Sequence, residues 1–435
     1  MTGRPRHRIP TDAPGRLVRM GLMGAGVVGR NTLAGIRKLG ASEERRRDID
    51  RSTHEANAVR IFDSMTQMKG AFMKLGQMLS MQAHTLPEPY LRRLADLQWE
   101  APPMHGTLMR MQFRNETGKN PEDVYDAFER EPFAAASLGQ VHRARLKTGE
   151  PVAVKIQYPG IDRSIDSDFA NLKTMLSTIR LSREQYGEVW DAVEEVRTHF
   201  HREVDYVQEA DTVEEFRRLL RDRDDVRIPR VYRDLSTRRV LTLEYIEGKH
   251  LRDYLRTKPP QDERDAIGER LLDLFFRQSF DFGLLHADPH PGNYLFLDGG
   301  RIGLLDFGCS KKFDSAFIKE HRDLFKIPIG DGAALEKHYR VFGILGETDP
   351  LRDEKRAALL KIQRLDIARY HENRIFDFGD EGHYKDVMTG FRELIRLGVT
   401  TPGYVLYVRA KTGLYHLFHQ LGARINCHKV CRKYV

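Results

Sequence analysis

The sequence predicts an α+β chain in which a small β-containing lobe precedes a larger helical lobe, and three observations predict it. Apolar residues recur at three- to four-residue steps over 57–97, which is a helical period. The period switches to alternation over 141–158, the mark of paired strands. Beyond Arg252 helical steps dominate again. The 435 residues suffice for several domains at roughly 100–200 residues each. An apolar fraction of 40% with 31% charged residues of mixed sign excludes collagenous, low-complexity and polytopic membrane chains. The three cysteines, Cys309, Cys427 and Cys431, are too few for a disulfide scaffold and fit a reducing compartment.

Residues 1–40 carry eight basic side chains against one acid, Asp12, and so hold seven of the eight net positive charges of the chain. The positive balance thus describes an arm, whereas a nucleic-acid binder carries it on a folded face, and no nucleic-acid partner is expected. An anionic lipid surface fits better, at about 1 kcal/mol per basic residue. The apolar part of the arm, 17–29, is 13 residues long and contains Arg19. A spanning helix needs about 20, so no transmembrane helix is predicted. Gly21, Ala25 and Gly29 form a small-residue stripe at i, i+4, i+8. The expected location is cytoplasmic, or peripheral at a membrane through this arm; a flexible arm and a cleaved targeting peptide stay open. Gly24 to Gly29 spells G-x-G-x-x-G, but no strand precedes it and no acid follows at the required distance, so it is not a dinucleotide site.

Along the chain, 41–51 is almost wholly charged and reads as a linker or helix start. Val59, Phe62, Met65, Phe72, Leu75 and Leu79 mark helices, which Pro87, Pro89 and Pro102-Pro103 interrupt and close. A short helix is expected over 121–128. Strands follow over 141–146 and 151–158, joined by the turn Lys147-Thr148-Gly149-Glu150. Residues 161–220 read as helical and 240–245 as a strand. Loops are expected at 286–293 and 298–300, with apolar runs 294–297 and 302–305 beside the second. The expected division is a basic arm 1–50, a helical extension 51–120, a β-containing lobe with a helical insert 121–250, and a helical lobe 251–435.

Five polar residues stand out against this plan. Lys155 lies on the second hairpin strand in V-A-V-K, and Glu209 in a helical stretch. Asp288 and Asn293 lie five apart in H-A-D-P-H-P-G-N, and Asp306 opens D-F-G thirteen residues after Asn293. Phosphoryl transfer from ATP calls for these residue types. A fixed cation holds the α/β-phosphates and a helix carboxylate holds that cation. A carboxylate and an amide hold Mg²⁺, and a further aspartate faces the transferred group or the attacking water. Lys155, Glu209, Asp306, Asn293 and Asp288 supply one of each, in the order of a protein-kinase-like fold. Each tripeptide alone is weak; the conjunction is specific. ATP, ADP and Mg²⁺ are the expected ligands.

The segment before the lysine departs from the usual glycine-rich phosphate loop and reads Ala134-Ala135-Ala136-Ser137-Leu138-Gly139-Gln140. Alanine restricts backbone approach, so nucleotide is expected to be held differently. This alanine-rich loop, Lys74-Leu75-Gly76-Gln77 in the preceding helix, Glu203-Val204-Asp205-Tyr206 ahead of Glu209, and H-A-D-P-H-P-G-N together resemble the UbiB-type atypical kinases, whose members include the Coq8-like proteins of coenzyme Q biosynthesis. The match runs from about residue 57 to 310.

The resemblance implies a bilobal protein-kinase-like fold with an N-terminal helical extension over the active site. It implies that Lys74 and Gln77 reach the site, with Glu203 and Asp205 as the partners of Lys74, on the face a protein substrate would use. Ala134, Ala135, Ala136 and Ser137 would cover the nucleotide, and the backbone of Glu244 and Ile246, in an interlobe hinge, would meet adenine. After Gly308 the chain reads C-S-K-K-F-D, then turns helical without an A-P-E motif, which argues against phosphorylation of proteins in trans. The resemblance implies instead an ATPase that supports isoprenoid quinone biosynthesis, with a membrane lipid or quinone precursor and quinone-biosynthesis proteins as partners. Asp288 would position a water or a small hydroxyl. A small-molecule phosphotransferase and a nucleotide-binding scaffold remain as alternatives. Cys427, His428 and Cys431 do not make a four-ligand zinc site. His84, His199 and His201 read as surface or packing histidines, and His286 and His290 as residues that shape the loop.

Overall fold

The computed structural model describes residues 29–68, 104–136, 138–161, 203–342, 353–397 and 402–435, with isolated positions besides. Most of the basic arm, the helical pattern over 69–97, Lys74, Gln77, His84, Ser137 and His199 lie outside the described residues. The chain divides into two compact units, one of residues 1–148, 154–205 and 237–240, the other of 149–153, 206–236 and 241–435.

In the first unit, helix α1 (Glu43–Met68) starts inside the charged run, with Glu43 and Glu44 in its first turn, where the helix dipole favours acids. Helix α2 (Gly106–Thr117) buries Met109 and Phe113 and ends at Gly118, whose N–H reaches Arg114. Helix α3 (Pro121–Val124) is fixed by Asn120 and Asp123, which bond reciprocally at its start. The helix expected over 121–128 stops there. Tyr125 is extended, and β1 (Ala127–Phe128) follows instead. Tyr125 and Phe128 meet Phe113, and Phe128 stacks on His142 at 5.1 Å, so aromatic burial draws this segment onto the sheet.

Strand β2 (Ala134–Ala136) folds back on β3 (Gly139–Arg145) with Ala134 opposite Val141 and Ala136 opposite Gly139. The alanine segment is therefore largely strand, not open loop. Gly139 is required by close packing: a Cβ there would lie 2.4 Å from the carbonyl oxygen of Ile156. Strand β4 (Pro151–Gln157) carries Val152, Val154 and Ile156, all fully buried.

The second unit opens with α4 (Tyr206–Leu219), then β5 (Val226–Arg227) and β6 (Val240–Glu244). The main sheet runs β1–β3–β4–β6 with β2 also on β3, and the boundary between the units passes through β4 and β6. Next come α5 (Leu251–Arg256) and α6 (Gln261–Phe276), the latter continued by a π-helical turn, Arg277–Phe282. Strands β7 (Leu284–His286), β8 (Tyr294–Phe296), β9 (Ile302–Leu304) and β10 (Ser310–Lys312) frame the two expected loops. Strands β8 and β9 form an antiparallel hairpin, and β5 joins β9 in parallel, a pairing too short to show a period in the sequence.

The chain after D-F-G does not become helical at once. Ser310, Lys311 and Lys312 first pair with His286, Leu285 and Leu284, and only then does α7 (Ser315–Leu324) begin, capped by Asp314. Helices α8 (Gly332–Val341), α9 (Asp353–Ile362) and α10 (Ala368–His371), strand β11 (Phe376–Asp377), helices α11 (Glu381–Arg396) and α12 (Pro402–Leu421), strand β12 (Arg424–Ile425) and α13 (Cys427–Cys431) complete the unit. Its core includes Phe276, Phe280, Phe325, Tyr370 and Leu417. Within it lies a charged triad. Asp366 pairs with Arg369 at 2.6 Å and with Lys411, and Arg369 also sits 4.6 Å over the Tyr415 ring. Cys427 and Cys431 are buried free thiols, pushed up to about 12 by burial.

Candidate active site

Strand β7 positions the first polar residue. Its ladder with β10 extends one step as Ala287 N–H donates to the Cys309 carbonyl at 2.9 Å, so Asp288 is the first residue to leave it. The His286 N–H is held by Gln278 Oε1 at 2.9 Å. The loop then turns through Pro291–Asn293, where the Gly292 N–H donates to His290 Nδ1 at 3.1 Å. That places Asn293 back beside Asp288. Its Nδ2 donates to Asp288 Oδ2 at 2.9 Å and to the Asp288 carbonyl at 3.0 Å. A hydrogen bond to a carboxylate of this kind contributes about 1.5–3 kcal/mol.

The β8–β9 hairpin brings Asp306 to the same place. Tyr294 faces Leu304, and one step on the Leu305 N–H donates to the Asn293 carbonyl at 3.0 Å. Asp306 is the next residue. Its Oδ1 accepts the Gly308 N–H at 3.0 Å, closing a turn over D-F-G, and its carbonyl accepts from His286 Nε2. A carbonyl can only accept, so Nε2 carries the proton. Phe307 is buried 5.1 Å from Phe216 and 5.5 Å from His286. Helix α4 also carries Glu209, which is buried two turns before Phe216. Burial, with the Asp288 charge adding, raises the Tyr294 phenol well above its usual range.

The structure thus brings Asp288, Asn293 and Asp306 together, and His286 and His290 shape the loop as expected. Glu244 lies at the end of β6, where its carboxylate accepts the Arg230 N–H at 3.0 Å and pairs with Arg227. Its own N–H donates to Arg230 and that of Tyr245 to Pro151; Ile246 is buried. In the first unit, Lys155 is buried in β4, Ala134, Ala135 and Ala136 form β2, Glu203 is buried, and Asp205 lies 3.5 Å from Arg238.

Sequence reasoning missed three contributors: Gln278, Phe216 and Arg409. Arg409 Nη2 donates to Asp288 Oδ1 at 2.7 Å from helix α12, 121 residues away. One signal was present. Arg409 and Lys411 are the only charged residues in the apolar run 402–418, and both meet carboxylates, those of Asp288 and Asp366.

A kinase-like chain folded around a D-x-x-x-x-N loop and a D-F-G turn is the class that this geometry defines. The ABC1 atypical kinase-like domain matches residues 96–334, more than half of the chain. The chain therefore belongs to the ABC1 atypical kinase-like family, and the likeness to Coq8-like proteins read from its motifs holds. It is 30% identical to the mitochondrial atypical kinase coq-8 of Caenorhabditis elegans over 98% of this chain and 58% of that one. It is 34% identical to the mitochondrial atypical kinase COQ8B of Rattus norvegicus over 75% of this chain and 62% of the relative. The chain spans about three-fifths of the length of these relatives. Among solved structures, a Mycobacterium tuberculosis protein, Rv3197 in complex with erythromycin, shares the fold with a TM-score of 0.62 and 24% identity, covering 90% of this chain and 98% of that one.

Proposed function

We propose that this chain is an ATP-hydrolysing atypical kinase that binds Mg-ATP and supports isoprenoid quinone, specifically ubiquinone, biosynthesis at a membrane surface. The observation that carries the reading is the joining of Asp288, Asn293 and Asp306 at one end of the β8–β9 hairpin. In this reading Lys155 meets the α/β-phosphates and Glu209 is the helix carboxylate assigned to the nucleotide site. Ala134, Ala135, Ala136 and Ser137 cover the nucleotide. The N–H groups of Glu244 and Tyr245 are taken, so the adenine contact is assigned to Ile246 and to the Glu244 carbonyl. Lys74 and Gln77, with Glu203 and Asp205, regulate access for large substrates.

Among the described residues no group of three or more His, Cys, Asp or Glu side chains could hold a metal by itself. Mg²⁺ takes one or two protein oxygens and completes its shell with phosphates and water. Asp306 and Asn293 are the two proposed holders. The Asn293 amide nitrogen is committed to Asp288, so the atom it offers a cation is Oδ1. When bound, the ion neutralises charge on the β- and γ-phosphate oxygens. Asp288 orients the attacking water, and Asn293 and Arg409 hold Asp288.

No helix among the described residues is long and apolar enough to cross a membrane. Within the basic arm, the helical stretch 29–37 and the turn after it expose Leu33, Ile36 and Leu39, which supports contact with an anionic lipid surface. The test is ATP turnover by the purified chain with Mg²⁺, with and without anionic liposomes carrying a quinone precursor analogue. The expected result is release of phosphate, faster with liposomes, and loss of that stimulation when residues 1–40 are deleted. A phosphorylated small molecule in the products would make the chain a phosphotransferase. Full cellular function of Asp288→Asn beside a null Lys155→Met would make it a nucleotide-binding scaffold.

A further inference from the structure

We propose that Arg409 is a positioning residue for Asp288, supplied to the site by the C-terminal helix α12; this rests on the reading of Asp288 given above. The catalytic loop from Asp288 to Asn293 contains no Lys or Arg, so a cation beside Asp288 has to come from elsewhere in the fold. Arg409 provides it. Nη2 holds Asp288 Oδ1 at 2.7 Å while Asn293 holds Oδ2 at 2.9 Å. A carboxylate gripped at both oxygens cannot rotate about its Cβ–Cγ bond without losing one of the grips. The guanidinium is steadied by a second contact, Nη1 to Cys309 Sγ at 3.8 Å, on the residue that follows D-F-G. A planar fork of donors suits this better than the point charge of a lysine.

The helix is shaped to deliver that side chain. Leu406 is buried with Ala287 and Cys309, the residues on either side of the β7–β10 ladder end. Gly413 lies against Pro289, where a Cβ would come within 2.2 Å of the proline Cγ and 3.1 Å of its Cβ. Positions 406, 409 and 413 recur at helical steps along one face. That face is thus fitted to 287–289 and 309, with Arg409 between an apolar anchor and a glycine that admits the loop. A proline ring cannot fold away, so any side chain at 413 moves the helix or the loop. A displacement of about 1 Å at a reacting group costs about 10²-fold in rate.

The experiment is steady-state ATP hydrolysis by the full chain for the parent protein and for Arg409→Ala, Arg409→Lys, Gly413→Ala and Asp288→Asn, each with a melting curve. Arg409→Ala should lower kcat by about 10²-fold with KM for ATP within about twofold, since it acts on Asp288 and not on the nucleotide. Arg409→Lys should fall between, and Gly413→Ala should lower kcat in the same way. Guanidinium chloride at low millimolar concentration should restore part of the rate to Arg409→Ala and none to Asp288→Asn, which a purely structural role would not produce. If Arg409→Ala does not fold, Arg409→Gln is judged by the same criteria. A parent-like kcat in a folded Arg409 variant, or a loss confined to KM, overturns this proposal while a dead Asp288→Asn leaves the reading of the site standing. A parent protein that hydrolyses no ATP overturns both.

Discussion

The two units hold their proposed site residues by different means. In the first, Lys155 is set by a strand. The flanking residues Val154 and Ile156 are fully buried, and the register of β4 fixes the lysine backbone as it fixes theirs. In the second, Asp288, Asn293 and Asp306 lie at strand ends and in loop backbone. Side chains from other segments hold them, His286 across 20 residues and Arg409 across 121. A strand fixes the backbone of a functional residue by its pairing, whereas a loop residue takes its position from side chains recruited from the rest of the fold.

The largest expected effect tests the chemistry assigned to both units. Asp306→Asn should lower ATP turnover by about 10³-fold, and Lys155→Met by a similar factor, measured as phosphate release. Retention of turnover in either variant removes that residue from the proposed site. The next compares the internal packing of each unit. Asp366→Asn strips the carboxylate from the buried Arg369 and Lys411 and should destabilise the second unit by about 3–5 kcal/mol in denaturant unfolding. Gly139→Ala, whose Cβ meets backbone, should cost the first unit less, about 1–3 kcal/mol. A reversed order of these two costs would break the contrast.

The smallest effect is a pH dependence. Burial lowers the pKa of His321, His338, His371, His383 and His416 in the second unit, and of His142 in the first. Each group then binds its proton more weakly folded than unfolded. Its contribution is fully present above the ordinary value near pH 6.5 and is lost as pH falls toward the lower folded value. Counting the described histidines, the second unit should therefore lose more stability than the first between about pH 6.5 and 5. Chemical denaturation followed separately in the two units by hydrogen exchange checks this. Equal losses would contradict it.

The same contrast explains what could be read from the sequence. The β3 and β4 strands, the turn between them and the helical character of the second unit follow from alternation and helical steps. The loop chemistry at Asp288, Asn293 and Asp306 was legible because its residue types are few and their order is fixed. The swing of Tyr125 and Phe128 from helix to sheet was not, since it depends on Phe113 and His142, neither adjacent in sequence. The short strand at Ser310–Lys312 also escaped, because its only cue is a partner strand some twenty-five residues earlier. Arg409 escaped for the same reason on a larger scale: nothing near it in sequence says that a carboxylate 121 positions upstream will meet it.

The proposed function rests on binding of a magnesium-bound triphosphate by this chain, with Lys155 and Asp306 each assigned a part in it. Calorimetric titration of ATP with Mg²⁺ into the full chain, into Lys155→Met and into Asp306→Asn tests it most directly. One ATP per chain is expected to bind, with affinity reduced about tenfold or more in each variant, equivalent to about 1.4 kcal/mol. No binding heat in the parent protein, or unchanged affinity in both variants, would contradict it.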